Sequence, residues 1–115
     1  MKFHHLGIET TDLERSISFF KRFGFQVEQK VTLMGESLVF LTLDDFRLEL
    51  TQVESLGEST STIHFALEVK DLEQSLEKLG EDIVVNEGPY NLENGWKTVF
   101  IIGPNGENIE LLQVN

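Results

Sequence analysis

The sequence predicts an α+β fold made of one βαβββ unit used twice, and three observations carry the prediction. FHHLGIETTDLERSISFF, from Phe3 to Phe20, returns as IHFALEVKDLEQSLEKL, from Ile63 to Leu79. His5 falls on His64, Gly7 on Ala66, Glu9 on Glu68, Asp12 on Asp71 and Ile17 on Leu76, each pair 59 residues apart. VFLTLDDFRLELTQV from Val39 returns as VFIIGPNGENIELLQV from Val99, 60 apart and drifting to 61 at Glu49 and Glu110. Apolar alternation around one amphipathic helix then recurs in each half. The expected organisation is a single domain over 1–115: module 1 at about 1–53, a linker at about 54–62 and module 2 at about 63–115.

Phe3 to Thr10 alternates as a strand, with His5, Gly7 and Glu9 on one face and Leu6 and Ile8 on the other. His4 is expected to face outward. Thr11 with Glu14 reads as a capping box, and Leu13, Ile17 and Phe20 give the following helix its buried stripe before Gly24 ends it. Phe25 to Val31, Ser37 to Leu43 and Phe46 to Val53 read as three strands, broken at Met34-Gly35-Glu36 and Asp44-Asp45. ESLGESTST, Glu54 to Thr62, has Leu56 as its one bulky apolar residue and reads as the linker.

The second half repeats the order. A strand over Ile63 to Val69 leads to a helix from about Asp71 to Leu79, striped by Leu72, Leu76 and Leu79 and stopped by Gly80. A strand over Ile83 to Asn86 precedes NEGPYNLENG, Asn86 to Gly95, expected as the longest irregular stretch and as a loop overhanging a site. Lys97 to Ile102 and Asn108 to Val114 are the last strands, joined by the turn Gly103-Pro104-Asn105-Gly106.

Composition narrows the function. The chain has 115 residues, and a half of about 55 would bury too little apolar surface to be secure alone. No segment approaches the roughly 18 to 20 apolar residues of a membrane span. Met1 runs straight into strand-like sequence with no leader pattern, so a cytoplasmic protein is expected. Zero cysteines exclude disulfides, thiolate nucleophiles and cysteine metal sites. A net charge of −11 argues against nucleic acid and anionic lipid and suits a neutral or cationic ligand, although most of this acid also reads as solvated surface.

The repeat carries a His and a Glu twice. Alternation places Arg47, Glu49 and Thr51 opposite Leu48 and Leu50, and Asn108 and Glu110 opposite Ile109 and Leu111. A carboxylate in an apolar strand is either solvated or engaged, because burying it unpaired is costly. If each half curls its sheet, His5, Glu49, His64 and Glu110 converge as an imidazole and carboxylate set suited to Zn, Ni, Co, Fe or Mn. Arg47 either holds an anionic substrate group or pairs with Glu49 or Glu9. Trp96 and Tyr90 either stack on a ligand or pack at the sheet end, and Phe100 is core or cup wall.

These marks, HLGIETTDLERSISFF, HFALEVKDL and GPNGENIELLQV, resemble the vicinal-oxygen-chelate superfamily, which includes glyoxalase I, bleomycin-resistance proteins, antibiotic-modifying thiol transferases, methylmalonyl-CoA epimerase and extradiol dioxygenases. The resemblance spans essentially the whole chain. It implies a cup-shaped, curved mixed sheet of the glyoxalase type, often completed in a homodimer. The His, Glu, His, Glu pattern at His5, Glu49, His64 and Glu110 looks most like glyoxalase I. That likeness implies an isomerase or lyase acting through a metal-bound enediolate, with Glu110 as principal base and Glu49 as its counterpart. The expected contacts to a small-molecule substrate are Arg47, Glu9, Glu68, Trp96 and Phe100. Glu9 stands where glyoxalase I usually has an Arg that holds glutathione. That departure keeps two alternatives open: sequestration of a small, cationic, bleomycin-like molecule without turnover, or thiol transfer to an antibiotic.

Overall fold

Lys2–Thr10 forms the first strand, β1, followed by α1 (Leu13–Lys21), β2 (Gln26–Leu33), β3 (Glu36–Leu43) and β4 (Phe46–Gln52). The order then repeats as β5 (Ile63–Glu68), α2 (Leu72–Leu79), β6 (Val84–Asn91), β7 (Lys97–Ile102) and β8 (Asn108–Gln113). The computed structural model describes residues 1–56, 63–103 and 106–115. Most of the expected linker, at 57–62, and the middle of the expected Gly103–Gly106 turn, at 104–105, lie outside the described residues. The fold is mixed α+β, two βαβββ modules as the repeat predicts. Two compact units divide it, His5–Ile63 and Met1–His4 with His64–Asn115.

In the first unit the strand order is β2-β3-β4-β1, with β1 parallel to β4 and the rest antiparallel. Helix α1 lies on the face carrying Leu48 and Leu50, and Ile17 packs there with Val39 and Leu41 while Leu13 and Phe20 flank it. The second unit repeats this as β5-β8-β7-β6, with Val69, Leu72, Val99, Ile101 and Leu111 as its core. Burying one face of each sheet under a helix leaves the other face to carry polar residues, as alternation requires.

Both helices are capped alike. Asp12 Oδ1 accepts from Arg15 N at 3.1 Å, and Asp71 Oδ1 accepts from Gln74 N at 3.0 Å. The expected Thr11 cap is therefore corrected to Asp12, whose carboxylate suits the positive end of the helix. The last strand of each module closes the same helix end: Gln52 Oε1 accepts from Leu13 N and Gln113 Oε1 from Leu72 N, both at 2.9 Å. These glutamines, 61 residues apart, tie strand to helix without being part of either core.

A second correction concerns Asn86 to Gly95. Most of it is strand, because β6 continues to Asn91 and the ladder resumes at Tyr90↔Thr98 and Asn91↔Lys97 after register shifts on both sides of Glu87. Gly88, at φ +88° and followed by a cis bond to Pro89, absorbs the shift. A Cβ there would meet Thr98 O at 3.0 Å, so the backbone itself occupies the space a side chain would need. Gly and Pro in a strand mark such a bulge as readily as they mark a loop. The irregular part shrinks to a short turn closed by Leu92 N donating to Trp96 O at 2.8 Å. No described helix is long and apolar enough to cross a membrane.

Candidate functional site

Each unit presents one His against one Glu. In the first, His5 on β1 is fully buried, and its Nε2 lies 3.4 Å from Glu49 Oε2 on β4. The parallel register sets Gly7 beside Glu49, so the two side chains stand on one face two residues apart along the sheet. Thr51 Oγ1 donates to Glu49 Oε1 at 3.4 Å. Phe40, opposite Glu49 in the β3–β4 ladder, sets its ring edge-on to His5 with centroids 5.5 Å apart.

The second unit repeats the arrangement with His64 on β5 and Glu110 on β8, where His64 Nε2 is 3.2 Å from Glu110 Oε1. Phe100 takes the place of Phe40: it is opposite Glu110 in the β7–β8 ladder and meets His64 edge-on at 5.5 Å. Thr98 Oγ1 donates to Glu110 Oε2 at 2.5 Å, and both residues are buried. Of the residues flanking the two pairs, the sequence marks Phe100 alone; Phe40, Thr51 and Thr98 are added by the structure. The offset of 60 between Phe40 and Phe100 was the available signal for the first.

The donor set fits a divalent ion on chemical and on metric grounds. Imidazole nitrogen and carboxylate oxygen are the ligands borderline ions prefer when cysteine is absent. Two donors each about 2.1 Å from one ion, at 90° to 109° to each other, lie about 3.0 to 3.4 Å apart. The His–Glu separations of 3.4 Å and 3.2 Å match that spacing within each unit.

The remaining expected residues are distributed less uniformly. Arg47 forms a two-point pair with Glu28, its Nε donating to Oε1 at 2.9 Å and its Nη2 to Oε2 at 3.3 Å. Glu28 occupies the β2 bulge between Val27 and Gln29, a partner that strand alternation alone does not reveal. Glu9 is half-buried, in register with Thr51. Glu68 pairs with the exposed Lys2 at 3.6 Å. Trp96 stands edge-on to His4 with centroids 5.6 Å apart, and His4, expected to face outward, is only 6% exposed. Trp96 thus has a packing role whatever else it touches.

A search of curated proteins found no match. Among solved structures, a hypothetical protein from Bacillus halodurans C-125 superposes with a TM-score of 0.80 at 21% identity, covering 99% of this chain and 94% of that one. A methylmalonyl-CoA epimerase of Streptomyces coelicolor, in complex with 2-nitronate-propionyl-CoA, gives 0.77 at 20% identity, covering 98% and 96%. A glyoxalase/bleomycin resistance protein/dioxygenase superfamily member from Vibrio splendidus 12B01 gives 0.69 at 22%, covering 98% and 100%. At these identities the likeness establishes the fold. The sequence model of one family matches residues 2–111, nearly the whole chain. This chain accordingly belongs to the Glyoxalase/Bleomycin resistance protein/Dioxygenase superfamily.

Proposed function

We propose that the chain is a small metal-dependent enzyme in which His5, Glu49, His64 and Glu110 hold one divalent ion, Zn, Ni, Co, Fe or Mn, and that it performs a glyoxalase I-like isomerase or lyase step. The observation that carries this reading is the same His–Glu pair, at ligand spacing, built independently into both modules. A divalent ion held there supplies Lewis acidity toward a substrate with two adjacent oxygen atoms. Glu110 accepts and returns the proton on a substrate carbon, with Glu49 as its counterpart. Phe40 and Phe100, edge-on to the imidazoles, fix their ring orientation. Glu9, Glu68, Trp96 and Phe100 are the proposed substrate contacts. Arg47 joins them for an anionic group only when its pair with Glu28 opens. The active form is proposed to be a homodimer in the cytoplasm.

The epimerase likeness adds a second substrate class, because that protein is seen with a CoA thioester analogue. Hemithioacetals and acyl thioesters therefore form the panel to try. Chelated protein, reloaded with each ion in turn, is offered the panel in deuterated water and the products are read by NMR. Metal-dependent deuterium incorporation at the carbon next to the carbonyl, lost in Glu110→Gln, is expected. Stoichiometric ligand binding with no exchange under any ion would overturn the enzyme reading and favour sequestration, for which the charge of −11 suits a cationic molecule.

A further inference from the structure

The two ligand carboxylates each accept from a threonine hydroxyl, but the threonines come from different strands. In the first module Thr51 sits on β4, two residues beyond Glu49 on the same strand, and faces Leu38 across the ladder. In the second, Thr98 sits on β7 and faces Leu112 across the ladder, reaching Glu110 diagonally. The offset of 60 matches Leu38 with Thr98, and the offset of 61 matches Thr51 with Leu112. The repeat has therefore exchanged a Leu and a Thr across the ladder while keeping a hydroxyl beside each Glu. A purely packing role would not require the hydroxyl to follow the carboxylate.

We infer that Thr98, and more weakly Thr51, are positioning residues that aim the Glu110 and Glu49 carboxylates at the metal; the inference rests on the metal reading above. Thr98 holds Oε2 of Glu110 by a short bond, which leaves Oε1 turned toward His64 Nε2. A carboxylate held this way loses its freedom to rotate before an ion arrives, and hydrogen-bonded partners of ligands commonly sustain affinity in this manner. At 3.4 Å the Thr51 bond is longer than the usual hydroxyl–oxygen distance, so Glu49 is held less firmly.

Zn²⁺ affinity is measured by competition with a chelating indicator on chelated wild type, Thr98→Val, Thr98→Ser and Thr51→Val, with the visible spectrum of the Co²⁺ form as a second readout. Thr98→Val should bind Zn²⁺ about 10 to 100-fold more weakly and alter the Co²⁺ spectrum. Thr98→Ser, which keeps the hydroxyl, should stay close to wild type, and Thr51→Val should lose less than Thr98→Val. Should the valine variant not fold, Thr98→Ala is titrated in its place with the same expectation. Wild-type affinity and an unchanged spectrum without the Thr98 hydroxyl would overturn the inference alone. A wild type that binds no ion would overturn the metal reading, and this inference with it.

Discussion

His64→Ala is expected to cost more than about 100-fold in metal affinity, beyond the 10 to 100-fold range for residues that only support a ligand. Its imidazole nitrogen, 3.2 Å from Glu110, is a proposed metal ligand, and alanine offers no replacement. The fold should survive, with stability changed by about 1 kcal/mol, because the side chain sits on the polar face of β5 and outside the cluster of Val69, Leu72, Val99, Ile101 and Leu111. Isothermal titration with Zn²⁺ alongside a melting curve of the ion-free protein separates the two effects. Full metal occupancy in the variant would show that His64 is not a ligand.

Leu50→Ala should do the reverse, lowering stability by about 2 to 5 kcal/mol in a urea titration. Leu50 is completely buried on the helix-facing side of β4, packed with Ile17, Val39, Leu41 and Leu48. Removing its isopropyl group leaves a cavity that a strand flanked on both sides cannot close by shifting. Since native stabilities run to only about 5 to 15 kcal/mol, the loss is a large share of the total. A change under about 1 kcal/mol would mean that the helix does not pack on this face as described.

One substitution falls on the polar side of a strand and the other on the helix-facing side, and that division was visible in the sequence. Period-2 alternation sent Leu48 and Leu50 to one side and Glu49 to the other, and the repeat assigned His5 and His64, Glu49 and Glu110, to matching positions. What escaped was cross-strand chemistry that alternation does not encode. The Arg47–Glu28 pair depends on a bulge in β2, where one extra residue re-aims a side chain. Thr98 aligns with Leu38 in the repeat, so the donor to Glu110 was hidden by the very comparison that exposed its acceptor.

Two other differences were recoverable. Thr11 falls on Lys70 in the repeat, and lysine has no oxygen to cap a helix, whereas Asp12 falls on Asp71; the shared cap was already written in the alignment. Gly88-Pro89 pointed to a loop because both residues interrupt regular ladders, but the ladder needs only a bulge to resume at Tyr90. Gln52 and Gln113 carried their own signal in the matching TQV and LQV ends, and their bonds to Leu13 and Leu72 explain why the offset holds there.

The central claim is that two His–Glu pairs, one from each module, act as one metal site. Native mass spectrometry of chelated wild type, His5→Ala and His64→Ala after Zn²⁺ readdition tests it most directly. One ion per chain in wild type, with a raised melting temperature as linkage requires, and none retained by either variant is the predicted result. No ion in wild type, or two ions per chain with one surviving in each variant, would contradict it.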